Sequence, residues 1–521
     1  MPRTRFGILP LLLLATATTA FAQRAPLRLT LDRPDLLDGN FNATVEYAVE
    51  NTGDTDLNDV RVEIEEGNQA IILSWAGPAL SCQPGPQPLS SHNLRCTIDT
   101  LAAHDTAHLG VVHHFLKPYA RTYIQLLATV GGAVPGAVLV SDVRFFHDFP
   151  VTNTADEGPG SLRQAIDDVN AKCVFGYYYD SDPCRISFTI AATPPSGGWF
   201  TIAPQSPLPV IMGSDMTIDA ATQTKLGDTN PDGPEIFLFG DHAGDVDGLR
   251  FRGGSLDVRG LAIGGFARNG IDTSGSGSVR NCYLGVDPTG RSASPNGLRG
   301  LMSANGLEVT GNVIGGNGRS GVFFTSGYGA SVTNNRIGVA ADSDFPLPNG
   351  ASGIFIGEYS NNVTIADNVI GNSGDFGIAI ARTAQVTTLR NRIFNSRWGA
   401  IDVGLDGPTI NNHTPTITSV RYDAAAGTTT ITGTAFAPTP GFTTVQIYAN
   451  HDVGPDGFAE EEEYLGSVTV KFETQPFSLT VPRDLRGLFI DAYSILRTDY
   501  GGGIEPAIDV TSELSRPVRA E

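Results

Sequence analysis

The chain has 521 residues, of which 61 are glycine and only 17% are charged. That length sets a prior of three or four domains, and the glycine-rich, charge-poor composition suits a β-rich secreted protein better than a helical one. A formal net charge of −21 argues against nucleic acid and anionic membrane surfaces as partners; it serves solubility, with attraction of divalent cations as the alternative role.

Residues 1 to 22 read as a secretory signal. Arg3 and Arg5 give the positive start, Ile8 to Leu14 the apolar centre, and Ala20-Phe21-Ala22 the cleavage site before Gln23. The apolar part is too short to span a membrane, and no later run reaches the ~18 apolar residues a span needs. The mature chain is expected to be soluble and secreted, extracellular or at the cell surface, with the periplasm as the alternative. The later cysteines are Cys82, Cys96, Cys173, Cys184 and Cys282. They sort into two local pairs and a remainder, so disulfides Cys82–Cys96 and Cys173–Cys184 are expected in an oxidising compartment. Zinc is the alternative, but no His flanks the pairs at ligand spacing.

Residues 24 to 147 predict a β-sandwich. Phe41 to Val49 alternates and breaks at Asn51-Thr52-Gly53, and Asp59 to Ile64 alternates again. The order Asn-Thr-Gly, a Cys pair ending Arg95-Cys96-Thr97-Ile98, then Leu101-Ala102-Ala103 resembles immunoglobulin-like modules of bacterial surface proteins, which implies a spacer or adhesive unit. His92, His104, His108, His113 and His114 cluster loosely. Scattered surface histidines are the favoured reading over a metal site, since only His104/His108 has ligand spacing.

A solenoid is expected over residues 148 to 412. Ser161-x-x-Gln164 is a capping box, and Leu162, Ala165, Ile166 and Val169 share one helical face. Such a short helix can plug the open first coil, whose apolar surface and strand edges need cover. Irregular coils follow through Ile186 to Ile190, Phe200 to Ile202, Met216 to Asp219 and Ile236 to Leu238. Asp228-x-Asn230-x-Asp232-Gly233 matches the first half of a calcium loop. The twelfth position is Phe239 rather than Glu, and a plain turn is the favoured reading. No cofactor is required, with calcium as the alternative.

Two phrases then recur. Gly-(Ile/Val/Leu) opens at Gly270, Gly300, Gly321, Gly353 and Gly377; Asn-x-Ile opens at Asn312, Asn335, Asn368 and Asn391, in steps of 23, 33 and 23. The extra length lies in Gly338 to Asn349, with a similar insertion at Gly285 to Asn296. A period in the twenties built from short alternating runs is a solenoid whose coils stack at roughly the 4.8 Å strand spacing. Buried amides must be paired, so the Asn residues should form an interior column, headed by a buried, inert Cys282. These phrases resemble the right-handed parallel β-helix of the pectate-lyase-like kind, and the Val151 to Ile166 segment resembles the opening of many secreted bacterial β-helix proteins. The resemblance implies an all-β fold but no single function, because that fold carries lyases, hydrolases, epimerases, adhesins and structural proteins.

Lyases and hydrolases on such folds act in an outer groove. The column beside the Asn file holds Tyr283, Val313, Arg336, Val369 and Arg392; the other side holds Asn281, Gly311, Asn334, Asp367 and Arg390. Arg336, Asp367, Arg390 and Arg392 are therefore the catalytic candidates if the protein is an enzyme. Lys is absent between Lys225 and Lys471, so a base would be Arg. Charge pairing on a solvated face is the favoured alternative. A column two residues before the coil Gly holds Arg268, Arg319, Asp375 and Arg397. Outward positions after each coil Gly are Asp272, Met302, Phe323, Phe355 and Ala379. Phe323 and Phe355 can stack on sugars, so these two with Arg319 and Arg397 are the binding candidates. Cover by the insertions or a neighbouring domain is favoured, since large bare apolar patches are uncommon. Paired Asp-Asp and the hydrolase and epimerase signatures of the fold are missing.

From residue 413 to 521 alternating strands return and predict a second β-sandwich. Asp452, Asp456 and Glu460 to Glu463 form an acidic patch, read as a solvated loop with calcium as the alternative. The leading function is a secreted or cell-surface protein used non-catalytically for adhesion or polysaccharide binding. The alternative is a polysaccharide lyase or related carbohydrate-active enzyme acting on an acidic glycan.

Overall fold

Asn312, Asn335, Asn368 and Asn391 stand above one another in the protein interior, and the molecule's longest unit is built round that file. The computed structural model describes residues 26–32, 42–66, 70–77, 80–84, 93–116, 121–131, 137–144, 146–173, 183–195, 197–382, 384–405, 413–454, 457–498 and 508–521. The secretory signal, His92, Asp456 and the Asn411-Asn412 end of the solenoid lie outside the described residues. The chain divides into units Met1–Phe146 and His147–Glu521.

The first unit is a pair of antiparallel sheets. One runs Leu27–Asp32, Asn42–Asn51, Thr106–Phe115, Ala70–Ala76; the other runs Ser81–Pro84, Asn93–Leu101, Leu57–Glu66, Arg121–Val130, Ala137–Arg144. Period-2 alternation buries Val45, Tyr47 and Val49 from one sheet and Val60, Val62 and Ile64 from the other. Cys82 and Cys96 are register neighbours joined by a disulfide. The histidines are not all at the surface. His113 is buried, with its Nε2 3.0 Å from the Tyr47 hydroxyl and its Nδ1 against the Glu66 carboxyl. Burial pushes the imidazole down to about 3 and the Tyr47 phenol upward. His104 pairs with Asp54 and His114 with Asn42.

In the second unit, three parallel sheets of nine, eight and seven strands are stacked coil on coil among the described residues. The strands are two to five residues long, and their inward side chains form one continuous core. Within the Asn file the Asn312 amide donates to Asn335 Oδ1 at 2.9 Å, Asn335 to Asn368 at 2.9 Å, and Asn368 to Asn391 at 2.9 Å. Each acceptor oxygen also takes the preceding Asn backbone N–H. Cys282 heads the file, its N–H donating to Asn312 Oδ1 at 2.8 Å; burial pushes its thiol up to about 12. A second ladder, unforeseen from the sequence, joins Asn296, Asn317 and Asn349 at 3.1 and 3.0 Å. At the corner beside the first file, Asn281, Gly311, Asn334, Asp367 and Arg390 all adopt positive φ, from 49° to 67°. Asn and Gly take that conformation readily; Arg390 instead occupies it beside Asp367, which grips its guanidinium at 2.8 and 2.6 Å.

The solenoid is closed at both ends. Helix Leu162–Lys172 has Ser161 as N-cap, its hydroxyl accepting from Gln164 N–H at 3.2 Å, and buries Leu162, Ala165, Ile166 and Val169. The second half of the capping box is unmade: the Ser161 N–H donates to Gly158 O, and the Gln164 amide donates to Asp168. The Cys173–Cys184 disulfide ties the helix end to a strand of the nine-stranded sheet. Helix residues also clamp the segment 206–212: Arg163 donates to Ser206 and Pro207 carbonyls, and Asn170 bridges Val210 O and Met212 N.

The C-terminal antiparallel domain closes the other end. Thr388 N donates to Thr511 Oγ1 at 3.0 Å, Tyr493 donates to Thr388 O at 3.0 Å, and Ile393 N donates to Glu461 O at 2.8 Å. Tyr448, Tyr493, Ile495 and Leu514 belong to the solenoid's own core. The domain therefore supplies the apolar cover and strand-edge partners that the last coil lacks. Glu461 and Asp491 are buried at this junction, and neither Glu461 carboxyl oxygen has a hydrogen-bond partner. Burial first, then their mutual proximity for Glu461, pushes both carboxyls well above the usual range. The acidic run is thus only partly solvated.

Candidate functional site

The seven-stranded sheet carries an outward column of Arg250, Asp272, Met302, Phe323 and Phe355, fixed by strand register, which continues into the buried Ala379 and Asp402. Phe323 and Phe355 stack with centroids 4.6 Å apart and planes 6° from parallel. Arg299 extends the stack, its guanidinium carbon 4.0 Å from the Phe323 centroid. Burial, followed by repulsion from Arg319, lowers the Arg299 pKa against the opposing pull of Asp272. The next position, Ala379, is buried, so the half-buried pair Phe323 and Phe355 is the exposed part of this strip. The two insertions do not cover this strip. Each is a small hairpin, and Val286, Ala340 and Leu347 pack over Val313 on the eight-stranded sheet.

Two coils towards the N-terminal end, a cleft of about 280 Å³ opens on the same face. Asp245, Asp247 and Asp272 line it together with Arg250 and Arg268, and Pro207, Leu208 and Val210 form a wall. The wall is the segment clamped by the capping helix. Asp272 accepts from Arg252 at 2.5 Å and has Arg250 at 3.8 Å. Asp247 accepts from Asn269 N–H and Nδ2 at 3.0 and 2.8 Å, with Arg268 at 3.7 Å. Asn269 Oδ1 takes the Arg299 N–H at 3.3 Å, which links cleft to aromatic strip. Asp245 and Asp247 were missed in the sequence. Their only signal was the run of Asp241, Asp245 and Asp247 at a solenoid corner.

The catalytic candidates are distributed differently. Arg336 and Arg392 both reach Asp344 in the second insertion, at 3.2 and 2.7 Å. Arg336 also donates to Ala340 O and Ser343 O, and Arg392 to Glu462 O. Burial alone would raise Asp344, but the two guanidiniums outweigh it and hold it below the usual range. Arg390 and Asp367 pair at the solenoid corner. These four side chains sit away from the seven-stranded face, each in an ion pair that holds a loop or a corner.

Arg319 is exposed on the face, beside Arg299. Arg397 is not in the Arg268 column. Backbone pairing of Trp398 with Asp375 and of Ile401 with Ile378 puts Trp398 there, half exposed, with Arg397 5.1 Å from its ring. The calcium-like phrase docks the first insertion. Asn230 donates to Pro234 O and Pro288 O, each at 2.9 Å, and Asp232 meets Arg291 at 3.1 Å. Among the described residues no group of three or more His, Cys, Asp or Glu side chains is placed to hold a metal ion, and no helix is long and apolar enough to cross a membrane.

Residues 247–415 match the family model described as "Right handed beta helix region". The molecule is a right-handed parallel β-helix, preceded and followed in the chain by antiparallel β domains. Among solved structures it is similar to tailspike protein 2 of the Escherichia coli O157:H7 bacteriophage CAB120, at 13% identity over 66% of this chain and 63% of that one, with a TM-score of 0.24. It is also similar to a cohesin module of a Clostridium perfringens family 33 glycoside hydrolase, at 12% identity over 23% of this chain and 97% of that one, TM-score 0.20. An immunoglobulin-like protein of Nocardia farcinica matches at 13% identity over 22% and 81%, TM-score 0.16. At such scores these likenesses carry no argument about function. Curated proteins give no match.

Proposed function

We propose that this is a secreted, cell-surface type of protein that binds a polysaccharide on the seven-stranded face without turning it over. The observation that carries the reading is the outward Arg299–Phe323–Phe355 stack, two parallel rings with a guanidinium over the first. Sugar rings present C–H faces that pack on aromatic faces, while neighbouring guanidiniums and carboxylates take hydroxyl and acidic groups. Two disulfides fit an oxidising compartment.

The test is affinity electrophoresis of the purified protein through gels holding soluble polysaccharides, neutral and acidic. Phe355→Ala should weaken retardation by roughly two- to tenfold, since an aromatic stacking contact is worth ~0.5–1.5 kcal/mol. The competing lyase reading is tested by absorbance of unsaturated products, with and without calcium. Turnover that Arg392→Ala abolishes would overturn the binding-only proposal.

A further inference from the structure

The cleft lies at the N-terminal limit of the seven-stranded face. On its N-terminal side stands the 206–212 segment, held by four hydrogen bonds with Arg163 and Asn170 at 2.6 to 3.0 Å, three donated by those side chains and one accepted by Asn170 from Met212 N–H. On its C-terminal side, beyond Met302, stands the ridge of Arg299, Phe323 and Phe355. Between wall and ridge lie the positions of Arg250, Asp272 and Met302, an interval of roughly three strand spacings of ~4.8 Å. Ile211 pairs in parallel with Phe251, so this segment is the first rung of the face, and the capping helix packs against it; a polymer running along the axis towards that end leaves the face there.

We propose that this cleft takes the terminal one or two residues of a glycan chain, so that the protein recognises chain ends rather than chain interiors. The inference rests on the glycan-binding reading of the same face. The chemistry of the lining fits a ligand rich in hydroxyl groups. Asp245, Asp247 and Asp272 accept hydrogen bonds, and Arg250 and Arg268 donate them, so a sugar ring finds both kinds of partner. Asp247 and Asp272 are oriented before any ligand arrives, by Asn269 and Arg252 respectively. Asp245, Arg250 and Arg268 remain exposed and able to turn towards a ligand.

The experiment uses the full mature chain on an array of linear neutral, amino-sugar and uronic-acid oligosaccharides of two to eight residues. Each is printed twice, once coupled through its reducing end and once through its non-reducing end. One coupling orientation alone should give signal, and titration of the best binder should show affinity levelling off by the trisaccharide. Arg268→Gln and Asp245→Asn, both at exposed positions, should each weaken binding at least tenfold with unchanged circular dichroism and melting temperature. Equal signal from both orientations, with affinity still climbing to eight residues and indifferent to Arg268→Gln, would overturn chain-end recognition and leave the binding face in place. Failure to bind any oligosaccharide on the array or any polysaccharide in the gels would remove both.

Discussion

Substituting Asn335 by alanine tests the interior file directly. Its amide nitrogen donates to Val309 O, Thr333 O and Asn368 Oδ1 at 2.9, 3.0 and 2.9 Å, and its oxygen accepts from Asn312 N and Nδ2 at 3.0 and 2.9 Å. Alanine deletes all five bonds. The Asn312 N–H and the Val309 carbonyl are then left without these partners inside a dry core. At ~1–3 kcal/mol for each stranded buried group, the expected loss is about 4 kcal/mol. The measurement is guanidinium unfolding followed by far-ultraviolet circular dichroism, with Thr325→Ala as the exposed reference, expected within ~0.5 kcal/mol of the parent. Hydrogen exchange should show the Asn312 amide opening first in the Asn335 variant. If Asn335→Ala lies within about 1 kcal/mol of Thr325→Ala, the file is not what holds the coils in register.

Three further outcomes are expected. Glu461 and Asp491 have carboxyls raised by burial, so the folded state holds protons that the unfolded chain releases; stability contributed at the C-terminal closure falls as pH rises above the ordinary carboxylate range. Glu461→Gln should flatten that slope in melting curves taken across pH, and an unchanged slope would contradict it. His113 is the opposite case: with its folded value near 3, the unfolded chain binds the extra proton, so the first unit is fully stable above about pH 6.5 and loses up to ~1.4 kcal/mol per pH unit below it. Melting of the His113→Gln variant should lose that acid dependence. Cys282, buried with a thiol pushed up to about 12, should resist Ellman's reagent in the native protein and give one thiol per chain after unfolding without reductant; labelling of the native protein would refute its placement.

The repeating coils were readable because stacking converts sequence spacing into contact. The 23, 33 and 23 steps of Asn placed four side chains in one file, and coil glycines placed Phe323 over Phe355. The same logic slipped by one residue in the last coil. There Ala400 stands where earlier coils have Gly, and Gly399 just before it invites the wrong register, so Arg397 was placed where Trp398 lies. Arg336 and Arg392 sat in the correct column, yet their partner Asp344 belongs to an insertion that follows no period. The second ladder was written in Asn296-Gly297, Asn317-Gly318 and Asn349-Gly350, but two of its members were hidden at insertion ends. Alternation in residues 413 to 521 predicted a second β-sandwich without showing that one of its faces would meet the solenoid. The domain keeps a core of its own around Val445, Ile447 and Ile490, and its Tyr448 and Tyr493 reach the last coil, a contact between segments that no local pattern couples. The cleft drew on Asp245, Asp247 and Asp272 together with residues 206–212, and only the folded chain brings those stretches side by side.

The direction of the asparagine bonds has a consequence for how the chain is born. Each Asn-to-Asn bond in the file runs to an oxygen 23 or 33 residues downstream, while the same amides also donate to carbonyls of the preceding coil. As the polypeptide leaves the ribosome, each newly made turn is therefore incomplete until its successor emerges, and the final turn waits for the domain that follows. Truncation from the carboxyl terminus should strip partners one turn at a time, whereas an added whole turn brings its own donor and acceptor and leaves the line unbroken.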